Sequence, residues 1–174
     1  NNDGYQDLVI ASFRLANIYF FRNLSTINNF SFELDGIVIS EQITDIKLGD
    51  LDGDNDLEIV ATSSIGQRVD LFENQSGSQI TFSSGTNINT NASSTVGVNF
   101  GDVNGDGSLD IVASNLTGDM SIYRNLGNLS FSSEEREPTG GSTQYVILGD
   151  VNSDAKPDII YSRDVEITQV GSLG

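Results

Sequence analysis

The chain has 174 residues, 37 % of them hydrophobic, which suits one domain or part of a larger one and is too apolar for a disordered chain. Its 25 acidic and 8 basic side chains leave a formal net charge of −17, which argues against nucleic acid and anionic membrane surfaces, since both are recognised by clustered Lys and Arg. It has no Cys and no His, so disulfides, thiolate or imidazole zinc sites, and Ser-His-Asp or Cys-His catalysis are excluded.

Taken in chain order, the sequence repeats itself. It opens on NNDGYQD (residues 1–7), then the apolar runs LVIAS (8–12) and NIYFFRN (17–23) and a Phe-centred piece, FSFEL (30–34). ITDIKLGD (43–50) leads into GDLDGDNDLEIV (49–60), and the order begins again with IVATS (59–63), RVDLFEN (68–74) and ITFSS (80–84). VGVNFGD (96–102) leads into GDVNGDGSLDIV (101–112), followed by IVASN (111–115), MSIYRN (120–125) and LSFSS (129–133). YVILGD (145–150) leads into GDVNSDAKPDII (149–160), then IIYS (159–162) and VEITQV (165–170). The opening Gly recurs after 52 residues, Gly49 to Gly101, and after 48, Gly101 to Gly149.

Each run is short, rich in β-branched or aromatic residues, and bounded by Gly, Asn, Asp or Ser, the marks of strands and turns. No window sustains an i, i+3, i+4, i+7 apolar pattern, so almost no helix is predicted. Four short strands in about 50 residues fit a propeller blade better than a sandwich or solenoid. The predicted fold is all-β: a partial β-propeller of about three and a half four-stranded antiparallel blades. Blades are placed at 1–43 (first strand missing), 44–95, 96–143 and 144–174 (last strand missing). Further blades of a longer chain, or a second copy, would complete the ring.

The acidic loops carry the chemistry. In the third copy Asp102, Asn104, Asp106 and Asp110 stand at loop positions 1, 3, 5 and 9, with the Ser108 carbonyl at position 7. Alternate side chains of a curled loop point into one concavity, and glycine permits the curl. Oxygen donors in such a ring suit Ca²⁺ better than Mg²⁺, which demands stricter octahedral geometry. The second copy offers Asp50, Asp52, Asp54, Glu58 and the Asp56 carbonyl. The fourth offers Asp150, Asn152, Asp154, Asp158 and the Lys156 carbonyl. The first retains Asn1, Asp3, the Tyr5 carbonyl and Asp7, without a position 1. Three full sites and one truncated site are therefore expected, and no catalytic residues. An EF-hand is rejected: it needs a Glu at position 12, where this chain has Ala61, Ala113 or Tyr161, and flanking helices. One such loop alone reads equally well as a solvated turn; three in register favour calcium. Thirteen of the 25 acids lie in these loops, so bound cations would offset much of the self-repulsion.

With these motifs the chain resembles the FG-GAP/VCBS repeat family, whose loop reads D-x-[DN]-x-D-G-x-x-D before an apolar strand and whose broad group includes integrin α-subunit propellers. The likeness covers essentially the whole chain and includes the pair Phe100-Gly101. Three departures stand out. Ile-Val-Ala-Ser replaces the Gly-Ala-Pro of integrin-type repeats, which looks closer to bacterial VCBS proteins. Glu58 replaces the position-9 Asp. Ser153 and Ala155 replace both glycines of the fourth loop, which implies a weaker site. The resemblance implies a secreted or cell-surface setting, where millimolar calcium suits weak sites.

Other features are weighed against plainer readings. Six N-x-S/T sequons, at Asn23, Asn29, Asn74, Asn91, Asn115 and Asn128, are accounted for by a composition rich in Asn, Ser and Thr. Tyr19, Phe20, Phe21, Phe72 and Tyr123 have the chemistry to stack on sugars, but such residues more often fill the space between blades. Glu134-Glu135-Arg136-Glu137 reads as a solvated loop between blades. The expected function is a calcium-binding extracellular module, adhesive or structural, whose partner is a protein or glycan at the cell surface or matrix. The alternative is a carbohydrate-binding or lyase-like propeller, which the lack of His and the presence of only Lys47 and Lys156 disfavour.

Overall fold

The computed structural model describes residues 3–39, 42–75, 80–89 and 94–164. Among these residues there are thirteen strands and no helix, in four antiparallel sheets. The first sheet holds β1 (Leu8–Ser12), β2 (Asn17–Asn23) and β3 (Phe32–Ile39). The second runs β4 (Asp45–Gly49), β5 (Glu58–Ser63), β6 (Arg68–Phe72) and β7 (Thr86–Asn89). The third runs β8 (Thr95–Gly101), β9 (Asp110–Asn115), β10 (Asp119–Tyr123) and β11 (Glu135–Pro138). The fourth pairs β12 (Thr143–Gly149) with β13 (Asp158–Arg163). Neighbours in each sheet are neighbours in sequence. The architecture is a partial, unclosed β-propeller. The expected third strand of the fourth blade, 165–170, lies outside the described residues.

The strands form where short β-branched runs meet local turn chemistry. Between β5 and β6 the Gly66 N–H donates to Ser63 Oγ at 3.0 Å, and Gln67 turns the chain at φ 51°. Between β1 and β2 the Leu15 N–H donates to Ser12 Oγ at 3.3 Å, and Ala16 takes φ 53°. Gly118 supplies the same left-handed turn, at φ 93°, between β9 and β10. β8 and β12 begin at Thr95 and Thr143. Both threonines are buried, and Thr95 Oγ1 donates to Asn115 Oδ1 at 2.9 Å.

The core lies between blades. Ile18 and Phe20 of the first blade meet Ile59, Ala61 and Phe72 of the second, together with Ile43 from the segment that joins the two. Leu51, Val60, Val69 and Leu71 meet Val98, Ile111, Ala113 and Tyr123 of the third. Val112 and Met120 meet Val146 of the fourth. Phe20, Phe72 and Tyr123 are thus inter-blade filling, while Tyr19 and Phe21 are half-buried.

Two expectations need correction. In the second and third blades the Phe-centred pieces are not the outer strands. Phe82 and Phe131 make only isolated bridges, to Asn74 and Asn125, and the outer strands follow at β7 and β11. Packing is the reason: Phe82 stacks on Phe20 of the preceding blade, ring centroids 4.6 Å apart, and Phe131 packs against the cluster shared with the second blade. The second correction concerns Glu135–Pro138, which is the exposed edge strand β11 and not a loop. Charge and proline suit an edge, where they discourage further strand pairing.

Candidate metal centres

Each acidic loop joins the first two strands of its blade: 50–57 joins β4 to β5, 102–109 joins β8 to β9, and 150–157 joins β12 to β13. The curl is held by position 1. Asp102 accepts the N–H groups of Gly105 at 2.7 Å and Asp106 at 3.0 Å on Oδ1, and that of Gly107 at 2.8 Å on Oδ2. Asp50 does the same for Gly53 (2.7 Å) and Asn55 (3.1 Å), and Asp150 for Asp154 (3.1 Å) and Ala155 (2.8 Å). Positions 3 and 5 each accept the N–H two residues on: Asn104 from Asp106, Asp106 from Ser108, Asp52 from Asp54, Asp54 from Asp56, Asn152 from Asp154 and Asp154 from Lys156. In the truncated first loop Asp3 likewise accepts from Tyr5 at 2.9 Å. Asn1 lies outside the described residues.

This weave requires left-handed backbone at positions 4 and 6. Gly53, Asn55, Gly105 and Gly107 adopt it at φ 86°, 73°, 80° and 90°. Gly and Asn tolerate that region. In the fourth loop Ser153 and Ala155 are held there at 64° and 65°, a costly conformation for residues with a β-carbon.

Position 9 ties the loop to the sheet. Glu58 accepts the Leu51 N–H at 2.8 Å, Asp110 the Val103 N–H at 3.1 Å and Asp158 the Val151 N–H at 3.0 Å. A residue not singled out in the sequence completes the lock. Asn125, just beyond β10, donates its N–H to Asp110 Oδ1 at 2.8 Å and its amide to the Leu109 carbonyl at 3.1 Å. Asn23 repeats this on Asp7 and Gln6, both at 2.8 Å, and Asn74 donates its amide to Leu57 at 3.3 Å. The signal was present as the recurring terminal Asn of NIYFFRN, RVDLFEN and MSIYRN.

In the second loop one carboxylate oxygen from each of Asp50, Asp52 and Glu58 lies within 4.8 Å of the others. Asp54 stands outside this cluster. The ion pairs among the described residues involve none of the three. Burial pushes the Glu58 carboxyl above the ordinary range despite the Leu51 N–H, and the charges of Asp52 and Asp54 push it further. Burial likewise raises Asp110 against the N–H donors of Asn125 and Val103. Asp106 is held low by the Ser108 N–H and the Asn104 amide. At Asp150 burial pushes upward, but the N–H groups of Ala155, Ser153, Asp154 and Asn152 together outweigh it and hold the carboxyl low. In the third loop Asn104 Nδ2 donates to Asp106 Oδ2 at 2.8 Å, which softens the like-charge crowding there.

The donor set is all oxygen, and the second loop gathers three carboxylates with no positive partner among the described residues. That chemistry fits a hard divalent cation. The loop residues would hold it, and it would supply charge neutralisation and a cross-link between adjacent strands.

Of the sequons, Asn115 is fully buried, with its amide on Asp119 at 2.9 Å and Ser121 at 2.8 Å, so it offers no acceptor in the folded chain. Asn91 lies outside the described residues.

The FG-GAP-like repeat family matches the chain in three overlapping tandem stretches, residues 1–61, 50–113 and 102–161. No curated relative matches it. Each stretch spans one blade-to-blade step, from one acidic loop through the next and into the strand that follows. The chain belongs to the FG-GAP-like repeat family.

Proposed function

We propose that this integrin-like repeat module is a calcium-stiffened, non-catalytic scaffold of an extracellular or cell-surface protein, presenting its inter-blade loops to a protein or glycan. Ca²⁺ is held by Asp50, Asp52, Asp54, Glu58 and the Asp56 carbonyl in the second blade. In the third it is held by Asp102, Asn104, Asp106, Asp110 and the Ser108 carbonyl. In the fourth it is held by Asp150, Asn152, Asp154, Asp158 and the Lys156 carbonyl, more weakly because Ser153 and Ala155 are strained.

The observation that carries this reading is the unneutralised cluster of Asp50, Asp52 and Glu58 within 4.8 Å. The metal's task is structural: it joins the end of β4 to the start of β5 and lowers the repulsion among the loop acids. Burial of Phe20, Phe72 and Tyr123 removes three of the five rings available for sugar stacking and supports a scaffold over a carbohydrate-processing site.

Calorimetric titration with Ca²⁺ tests the reading. Binding with Kd of about 10⁻⁴–10⁻³ M, the range of extracellular modules, is expected. No heat and no rise in melting temperature at several millimolar Ca²⁺ would sink it.

A further inference from the structure

Asn125 touches two acidic loops at once. Its side-chain amide reaches back 74 residues to donate to the Leu51 carbonyl, at 2.7 Å, in the loop of the preceding blade. Its own N–H donates to Asp110 at position 9 of the third-blade loop, at 2.8 Å. The Leu51 N–H in turn donates to Glu58, position 9 of the second-blade loop, at 2.8 Å. An unbroken path therefore runs Glu58–Leu51–Asn125–Asp110 from one candidate cage to the next. Its members are at most 4 % exposed. Water cannot readily replace a lost partner there, so displacement of one group is felt by the next. The Leu51 side chain adds a second tie, packed with Ile111 and Tyr123 of the third blade.

We propose that the calcium sites of the second and third blades are energetically coupled, with Asn125 as the positioning residue that couples them. The inference rests on the calcium reading above. A cation drawing Glu58 inward fixes the Leu51 N–H and with it the backbone of Leu51. The Leu51 carbonyl, on the next peptide, accepts the Asn125 side-chain amide, and the Asn125 backbone then presents a fixed N–H to Asp110. The third cage is thereby ordered before its own metal arrives, so the second cation meets a smaller ordering cost. Linkage makes the effect reciprocal.

Calorimetry on the full chain tests this with one loop disabled at a time, by Asp52→Ala/Asp54→Ala or by Asn104→Ala/Asp106→Ala. Disabling either loop should weaken calcium binding at the other by the same factor, about fivefold or more. In an Asn125→Ala background that factor should shrink toward one. The factor is a ratio of affinities, which a general loss of stability would not equalise. A readout without substitution at Asn125 guards against misfolding: in Asn104→Ala/Asp106→Ala, loading the second loop should slow hydrogen exchange at the Asn125 amide. Calcium binding with unchanged affinity at each loop, or no added protection at Asn125, would overturn the coupling and leave the calcium reading standing. No calcium binding by the unaltered chain would overturn both.

Discussion

The ring of Phe100 lies over Gly49 so closely that a β-carbon at Gly49 would come within 2.7 Å of it. One blade on, the Leu148 side chain covers Gly101 at the same 2.7 Å. Gly149 has nothing within 4 Å of that position. The glycines that open the second and third loop motifs, Gly49 and Gly101, therefore serve close blade-to-blade approach, not the turn.

Gly49→Ala and Gly101→Ala should each cost about 1–3 kcal/mol, the usual penalty for overpacking a core. Gly149→Ala should be near neutral. Denaturant unfolding of the three variants checks this. Equal costs at all three positions would separate the glycine from the packing.

The fourth loop should gain from glycine. Ser153→Gly and Ala155→Gly release left-handed strain at φ 64° and 65° and should each stabilise by about 1 kcal/mol. The reverse changes, Gly105→Ala and Gly107→Ala at φ 80° and 90°, should destabilise by a similar amount. Thermal melts in EDTA isolate the backbone effect from the metal.

The buried position-9 carboxyls set a pH dependence. Glu58 and Asp110 have raised values in the fold, chiefly from burial. Their contribution to stability is therefore fully present below their ordinary values of 4.5 and 3.8, and is lost as pH rises through the raised ones. In EDTA, Glu58→Gln should melt above the unaltered chain at neutral pH and show a smaller response to mild acid. In millimolar Ca²⁺ the order should reverse, because the amide supplies no charge to the cation. A variant that matches the unaltered chain under both conditions would remove Glu58 from the site.

The stack of Phe82 on Phe20 should be worth more than its modest ring contact suggests, because it pins the second blade to the first. Phe82 is half-buried, so Phe82→Ala should cost about 2 kcal/mol, less than truncation of a fully buried Phe. Phe30→Ala, at a ring 89 % exposed, should change unfolding by less than about 0.5 kcal/mol. Comparable losses at both would show that the inter-blade contact does not decide the energetics.

The periodic residues alone determined that this is an all-β repeat with one acidic loop per blade. Strand runs such as LVIAS and NIYFFRN coincide with β1 and β2, and the loops fall between the first and second strands of their blades. These features are local: turn chemistry at Ser12 or Ser63 and the Asx-type bonds of Asp102 act within a few residues, so sequence spacing encodes them. Tertiary structure decided what depends on the neighbouring blade. Phe82 and Phe131 look like strand centres in sequence but are drawn into inter-blade packing, which displaces the outer strands to β7 and β11. The position-9 residues look like any other loop acids until burial sets Glu58 and Asp110 apart. The Asn125 lock spans 74 residues, a separation at which no local pattern reports a contact, and only the stacking of one blade on the next brings its two ends together.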